Sequence, residues 1–250
     1  MVGTIDRRVL VSYRIDPEVV ARMLPEPFRP TVWNDVAVGG ICLIRLTELR
    51  PQPLPRWLGV TTENVAHRFA VEWDGPGGVE TGVVVPRRDT SARLAVLVGG
   101  RGFPGTMEHG RFCVRENGER VDIEYESDDG LVAIDVRAAL AEELSSDSLF
   151  GTLARASEFF RRDSRGYSPS SKSGQCECVE LCTETWNVTP LAIDSVRSSW
   201  FDDEARFPAG SIALDSALLM RRIPAVWRPR PLEASEQRTS MAPAASGRKP

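Results

Sequence analysis

Apolar side chains recur at every second position through most of this chain, and that period dictates sheet rather than helix. Val9, Val11, Tyr13 and Ile15 alternate with Arg8, Ser12 and Arg14, the pattern of a strand with one buried face. Residues 36 to 48 are apolar on both faces, with Val36, Val38, Ile41, Cys42, Leu43, Ile44 and Leu46, as in a central strand covered from both sides. Val60 to Trp73 alternates, Asp74-Gly75-Pro76-Gly77-Gly78 turns the chain, and Val79 to Pro86 returns it. Residues 111 to 116, 120 to 126 and 131 to 139 form a meander, with Asn117-Gly118 and Asp128-Asp129-Gly130 as its turns. Further strands are expected near 176 to 185, 193 to 201 and 211 to 221.

Helical signals are few. Asp16-Pro17-Glu18 supplies an N-cap, a first-turn proline and a first-turn acid for a short helix that Pro25 and Pro27 end. Leu149, Leu153, Ala156 and Phe160 share one helical face, with Asp147 as the expected cap. A Ser- and Gly-rich loop is expected over 163 to 174. Arg228 to Pro250 carries four prolines and almost no large apolar side chain, too little to offset the entropy of ordering. The fold class is therefore α+β, predominantly β: an antiparallel, strand-rich barrel or cone over residues 1–227, then a disordered tail over 228–250.

Composition removes several function classes. The net charge is −4 with both signs interspersed, so no basic face for nucleic acid is expected. No run approaches the roughly 18 to 20 apolar residues of a membrane span, and the first residues lack the apolar core of a signal peptide. The expected setting is cytoplasmic. Cys42, Cys113, Cys176, Cys178 and Cys182 are odd in number, which suits a reducing compartment better than a disulfide framework. The Cys176-x-Cys178-x3-Cys182 run lacks the paired knuckles of structural zinc, and cysteine is common as a small hydrophobe. Neither a metal nor a cofactor is expected. The partner is a small-molecule ligand or substrate, with a homo-oligomer left open.

Gly100-Arg101-Gly102-Phe103-Pro104-Gly105 spells a dinucleotide fingerprint, but no helix follows whose N-terminus would meet a pyrophosphate, so it reads as a loop. There is no nucleophile elbow and no serine triad. The stretch from Thr62 to Trp73 is more informative. On a regular strand Glu63, Val65, His67, Phe69, Val71 and Trp73 share one face. Glu63 and His67 are then about 13 Å apart at roughly 3.3 Å per residue, placed to line one cavity. A carboxylate among apolar neighbours has a raised pKa, useful for proton transfer; the alternative is a solvated first residue of the strand. His109, in Met107-Glu108-His109-Gly110, is open between a turn histidine and a catalytic one.

Tyr13-Arg14-Ile15-Asp16-Pro17-Glu18, continuing through Met23-Leu24-Pro25-Glu26-Pro27, resembles the acetoacetate decarboxylase family, as do Thr62-Glu63 and Gly105-Thr106-Met107-Glu108-His109-Gly110-Arg111. The matches occur in the family's order over roughly residues 5 to 140. Gly166-Tyr167-Ser168, Trp186, Phe207-Pro208-Ala209-Gly210-Ser211 and the run from Leu214 to Met220 look more like an uncharacterised bacterial branch of the same superfamily. The resemblance implies a β-barrel or cone with a small-molecule pocket, and places Glu63 beside a reactive centre. It also implies a pocket arginine, whose position falls on Asp6 in direct register and on Arg7 after a one-residue slip that would reverse the strand's facing.

The family's decarboxylases attack a β-keto acid with a lysine. Of the 31 basic residues only Lys172 and Lys249 are lysines. The segment matching the family's lysine reads Ser91-Ala92-Arg93-Leu94-Ala95, with no amine, and a guanidinium does not deprotonate to replace one. The expected function is acid/base chemistry without a Schiff base on an oxo or hydroxy acid, by a lyase, isomerase or cyclase. Glu63 would move the proton with help from His67 or His109, and Arg14, Arg68 or Arg93 would hold the substrate anion. The alternative is a non-catalytic barrel for an apolar or amphipathic small molecule, and an acetoacetate-type decarboxylase comes third.

Overall fold

The computed structural model describes residues 1–93, 107–170 and 176–232. Thirteen strands make one sheet: β1 (Val2–Ile15), β2 (Arg29–Pro30), β3 (Val32–Trp33), β4 (Val36–Arg50), β5 (Val60–Gly75), β6 (Gly78–Thr90), β7 (Glu108–Glu116), β8 (Arg120–Ser127), β9 (Ala133–Leu140), β10 (Arg165–Pro169), β11 (Cys176–Thr183), β12 (Thr189–Ser198) and β13 (Ile212–Arg230). Among the described residues two α-helices accompany it, α1 (Pro17–Ala21) and α2 (Leu153–Arg162).

Following the pairings from β6 through β7, β8, β9, β12, β13, β1, β4 and β5 returns to β6, so these strands close a ring. It is not a plain barrel. A second path runs from β6 through β10 and β11 to β13, so the wall β13-β1-β4-β5-β6 is shared by two closures. Each face of that wall is buried. Val9, Val11, Ile41, Leu43 and Val65 join one apolar cluster with β8 and β9, whereas Leu10, Cys42, Leu218 and Met220 join another with α2. This is why the central strands read as continuously apolar. Most pairings are antiparallel, but β6 pairs in parallel with both β7 and β10.

Several boundaries differ from the expectation. The helix near residue 150 begins at Leu153, with the Thr152 hydroxyl accepting from Arg155 N at 3.3 Å. Asp147 does not cap it; Leu149 N donates instead to Asp215 Oδ1 at 2.7 Å. The expected loop over 163 to 174 contains β10, because its backbone pairs with β11 on one side and β6 on the other. The last strand runs three residues past Trp227, since Arg228, Pro229 and Arg230 oppose Glu180, Val179 and Cys178. The rest of the expected tail, 233–250, lies outside the described residues, as does the Gly100–Gly105 loop.

The facing of β1 also resolves. Its register against β4 shifts between Ile5 and Arg7, and against β13 Ile5 faces Ile223 while Arg7 faces Arg221. Ile5 therefore packs with the Leu10 cluster, while Arg7 lies on the Val9 face. A bulge at Asp6 makes the one-residue slip without disrupting the strand.

Candidate functional site

On the α2 side of the shared wall lies a cavity of about 140 Å³, close to the roughly 150 Å³ that accommodates benzene in an engineered core. Ile44, Leu46, Val179, Leu181 and Trp227 give it apolar walls, and Arg8, Arg68, Arg88, Asp163 and Cys42 face it with polar groups. The residues come from β1, β4, β5, β6, β11, β13 and the turn after α2, so both closures are needed to build it.

Its arginines make no ion-pair contact with a carboxylate among the described residues. Arg68 is 5% exposed and makes no hydrogen bond or ion pair among the described residues; its guanidinium lies 4.9 Å from the Phe160 ring centroid. Arg88 Nε is buried without a partner. Arg8 donates from Nε to Cys42 Sγ at 3.3 Å and sits 6.0 Å from the Trp186 ring. Burial pushes Arg68 and Arg88 down to about 10, and Arg8 adds to the effect at Arg68. Both stay protonated at neutral pH. An alanine at position 166 would bring its Cβ to 3.2 Å from Arg88 Nη2, so Gly166 leaves that guanidinium its room.

Asp163 is the acid of the cavity. Burial raises its carboxyl to about 7, against the opposing pull of Arg68, Arg162 and Arg8. Its Oδ2 has no hydrogen-bond partner, and no cation lies within 4.0 Å of it among the described residues. Three guanidiniums face the cavity with two carboxyls, Asp163 and an Asp89 that is already paired with Arg87 at 2.7 Å, so positive charge is in excess, the opposite of what apolar walls alone favour.

The expected site residues are dispersed. Glu63, Val65 and His67 do share a face, but that face is the packed one. Arg7, with no exposed surface, donates to Glu63 Oε2 at 2.5 Å and to Glu116, while Arg45 Nε lies 3.7 Å from Glu63 Oε1. Burial raises the Glu63 pKa, with Arg7 and Arg45 opposing. At Glu116 burial also pushes up, but hydrogen bonds from Arg221 and Arg7 outweigh it and hold the carboxyl low. His67 stacks 4.9 Å from Trp200 and 5.8 Å from Phe201 with both ring nitrogens unpartnered. Burial, then Arg87 and Arg206, lower it to about 3, so it is a neutral aromatic in a filled core. The expectation that Glu63 and His67 line one cavity is corrected, because large side chains fill the space between the sheets on that face.

His109 Nδ1 meets Asp128 Oδ2 at 2.6 Å and ties β7 to the β8–β9 turn. Arg14 Nε lies 3.6 Å from Asp215 and its guanidinium donates to the carbonyls of Asp147 and Leu214, which anchors a loop. Arg93 is exposed at the edge of the described residues. None of these lines the cavity; of the six expected site residues, only Arg68 does. Arg8, Arg88, Cys42 and Asp163 were not singled out. Their one signal was charge on strands whose other positions are apolar, at Arg8 and Arg88.

The fold is similar to that of acetoacetate decarboxylase-like enzymes. An enduracididine biosynthesis enzyme, MppR, with HEPES buffer bound is similar with a TM-score of 0.58 and 12% identity, covering 93% of this chain and 87% of that one. The same enzyme complexed with pyruvate gives 0.55 and 11%, over 91% and 89%. An acetoacetate decarboxylase-like enzyme from Sphingomonas wittichii RW1 gives 0.57 and 12%, over 94% and 93%. Within that fold the chain belongs to the family DUF2071, described as an uncharacterized conserved protein, which it matches over residues 4–217. No curated protein matches it in sequence.

Proposed function

We propose that this protein binds a small oxo or hydroxy acid in the cavity and acts on it by acid/base chemistry, without an amine Schiff base. The observation that supports this most is the set of three guanidiniums, on Arg8, Arg68 and Arg88, facing one cavity with no carboxylate in ion-pair contact with them among the described residues. Removing a charge from water without a partner is costly, and a ligand carboxylate supplies that partner with bidentate geometry. Asp163 stands in the same cavity with a pKa near neutrality, the range in which one group both accepts and returns a proton. The pyruvate complex of MppR shows a fold of this kind holding a small oxo acid. No lysine lies within the described residues, since the chain's two are Lys172 and Lys249.

Proton abstraction next to a carbonyl is the simplest reaction this set performs. Incubating pyruvate with the protein in D2O and following its methyl signal by NMR reads that step directly. Faster deuterium incorporation than in buffer, lost in Asp163→Asn and in Arg68→Met, is the expected result. Incorporation that survives both substitutions contradicts the proposal. The apolar walls favour a second reading, retention of an amphipathic acid without turnover; that reading predicts saturable binding with no exchange.

A further inference from the structure

Cys42 is 7% exposed, faces the cavity, and its Sγ accepts from Arg8 Nε at 3.3 Å. It lies in one cross-strand row with Ala66 and Arg88: Cys42 is opposite Ala66 on β5, and Ala66 is opposite Arg88 on β6. Two strand spacings separate Cys42 from Arg88, about 10 Å between backbones. The methyl group of Ala66 leaves the floor between them low. Arg68 stands two residues along β5 from Ala66, buried, lining the same cavity and without hydrogen bond or ion pair among the described residues. The thiol is therefore the soft nucleophile beside a cluster of guanidiniums that have no ion-pair partner among the described residues.

We propose that Cys42 is the nucleophile of the cavity and adds reversibly to the carbonyl carbon of an oxo acid whose carboxylate is held by Arg68 and Arg88. This rests on the anion-binding reading above. In the step, the sulfur–carbon bond forms and the carbonyl π pair moves to oxygen. The proton given up by the thiol ends on that oxygen, so the product is a hemithioketal and no other reactant is consumed. The thiol thereby takes the place that an attacking amine holds in Schiff-base chemistry. Asp163, in the same cavity, is the group placed to pass the proton.

Iodoacetate and iodoacetamide carry the same leaving group and differ in charge, so their relative rates report whether an anion is delivered to a thiol. The full chain is treated with each, and mass spectrometry follows Cys42 against the exposed Cys113 as internal reference. At Cys42, relative to Cys113, iodoacetate is expected to react at least tenfold faster than iodoacetamide. Pyruvate is expected to protect Cys42 alone, and Arg68→Met or Arg88→Met to abolish the preference. Pyruvate labelled with carbon-13 at the carbonyl is expected to give a tetrahedral-carbon signal, distinct from its hydrate, that Cys42→Ala removes. Equal reagent ratios at the two cysteines, or a labelled spectrum unchanged in Cys42→Ala, overturn the assignment. If pyruvate still raises the melting temperature of the wild type but not of Arg68→Met, the failure belongs to Cys42 alone. If it stabilises neither, the anion site itself fails.

Discussion

Arg68 keeps its guanidinium 4.9 Å from the ring of Phe160 on α2, the helix that covers the wall, and makes no ion pair with a carboxylate among the described residues. The aromatic face attracts the cation without consuming its hydrogen bonds, a contact worth about 1 to 2 kcal/mol when desolvated. Its donors stay free for a ligand. Phe160→Leu keeps most of the buried volume and removes the quadrupole. Pyruvate affinity is expected to fall about fivefold in that variant, measured by calorimetry, while the circular dichroism spectrum stays unchanged. An unchanged affinity would show that the ring does not orient Arg68.

The charge cluster on the other face predicts a different outcome. Arg7 is fully buried between Glu63 and Glu116. Arg7→Met leaves Glu63 without its main partner and Glu116 with Arg221 alone, and breaking a buried pair in this way costs about 3 to 5 kcal/mol. Glu63→Gln leaves Glu116 and Arg221 in place and is expected to cost less. Urea unfolding of the two variants reads the difference. A smaller loss for Arg7→Met than for Glu63→Gln would contradict the arrangement.

His67 sets part of the acid limit of stability. Its pKa is about 3 in the folded chain against a reference of 6.5. Between those values the unfolded chain holds a proton that the folded chain lacks, so stability falls as pH drops through this window, by up to about 1.4 kcal/mol per unit. His67→Phe preserves the stack on Trp200 and removes the titration. Its acid-unfolding midpoint is expected at lower pH than that of the wild type. A midpoint at the same pH or higher would place the acid limit elsewhere.

Asp163 acts with the opposite sign. Its pKa of about 7 lies above the reference of 3.8, so the folded chain holds the extra proton and stability falls as pH rises from about 4 to about 7. Asp163→Asn is expected to gain stability relative to wild type on going from pH 4 to pH 8, on the order of 2 to 4 kcal/mol. Melting temperatures across that range test it. A parallel profile for variant and wild type would mean that the carboxyl is solvated.

Much of the sheet was legible because strand alternation is a local signal. β1, β5, β6 and the β7–β9 meander follow the period-two pattern, and β4 shows as a run apolar on both faces. The site was not legible, for a reason that the shared wall makes plain. Period two says that Glu63 and His67 lie on one side and Arg68 on the other, but not which side is filled and which is hollow. That depends on Trp200 and Phe201 arriving from the segment after β12, and on β10 and β11 closing a second path with α2. The His67 contacts join residues more than a hundred positions apart, and the second path joins strands that no local pattern links. Arg8 was read as part of a polar face because a strand buried on both sides of a double closure looks, in sequence, like one with a solvated edge. The Asp6 bulge is likewise a property of pairing with β4 and β13, and nothing local at Asp6 announces it.

The central claim is that the cavity is an anion site built by Arg68 and Arg88. Calorimetric titration of pyruvate against its uncharged methyl ester, in the wild type and in Arg68→Met/Arg88→Met, tests it most directly. Saturable heat with pyruvate alone, abolished in the double variant, is the predicted result. Equal binding of acid and ester, or full retention of pyruvate binding after both guanidiniums are removed, would contradict it.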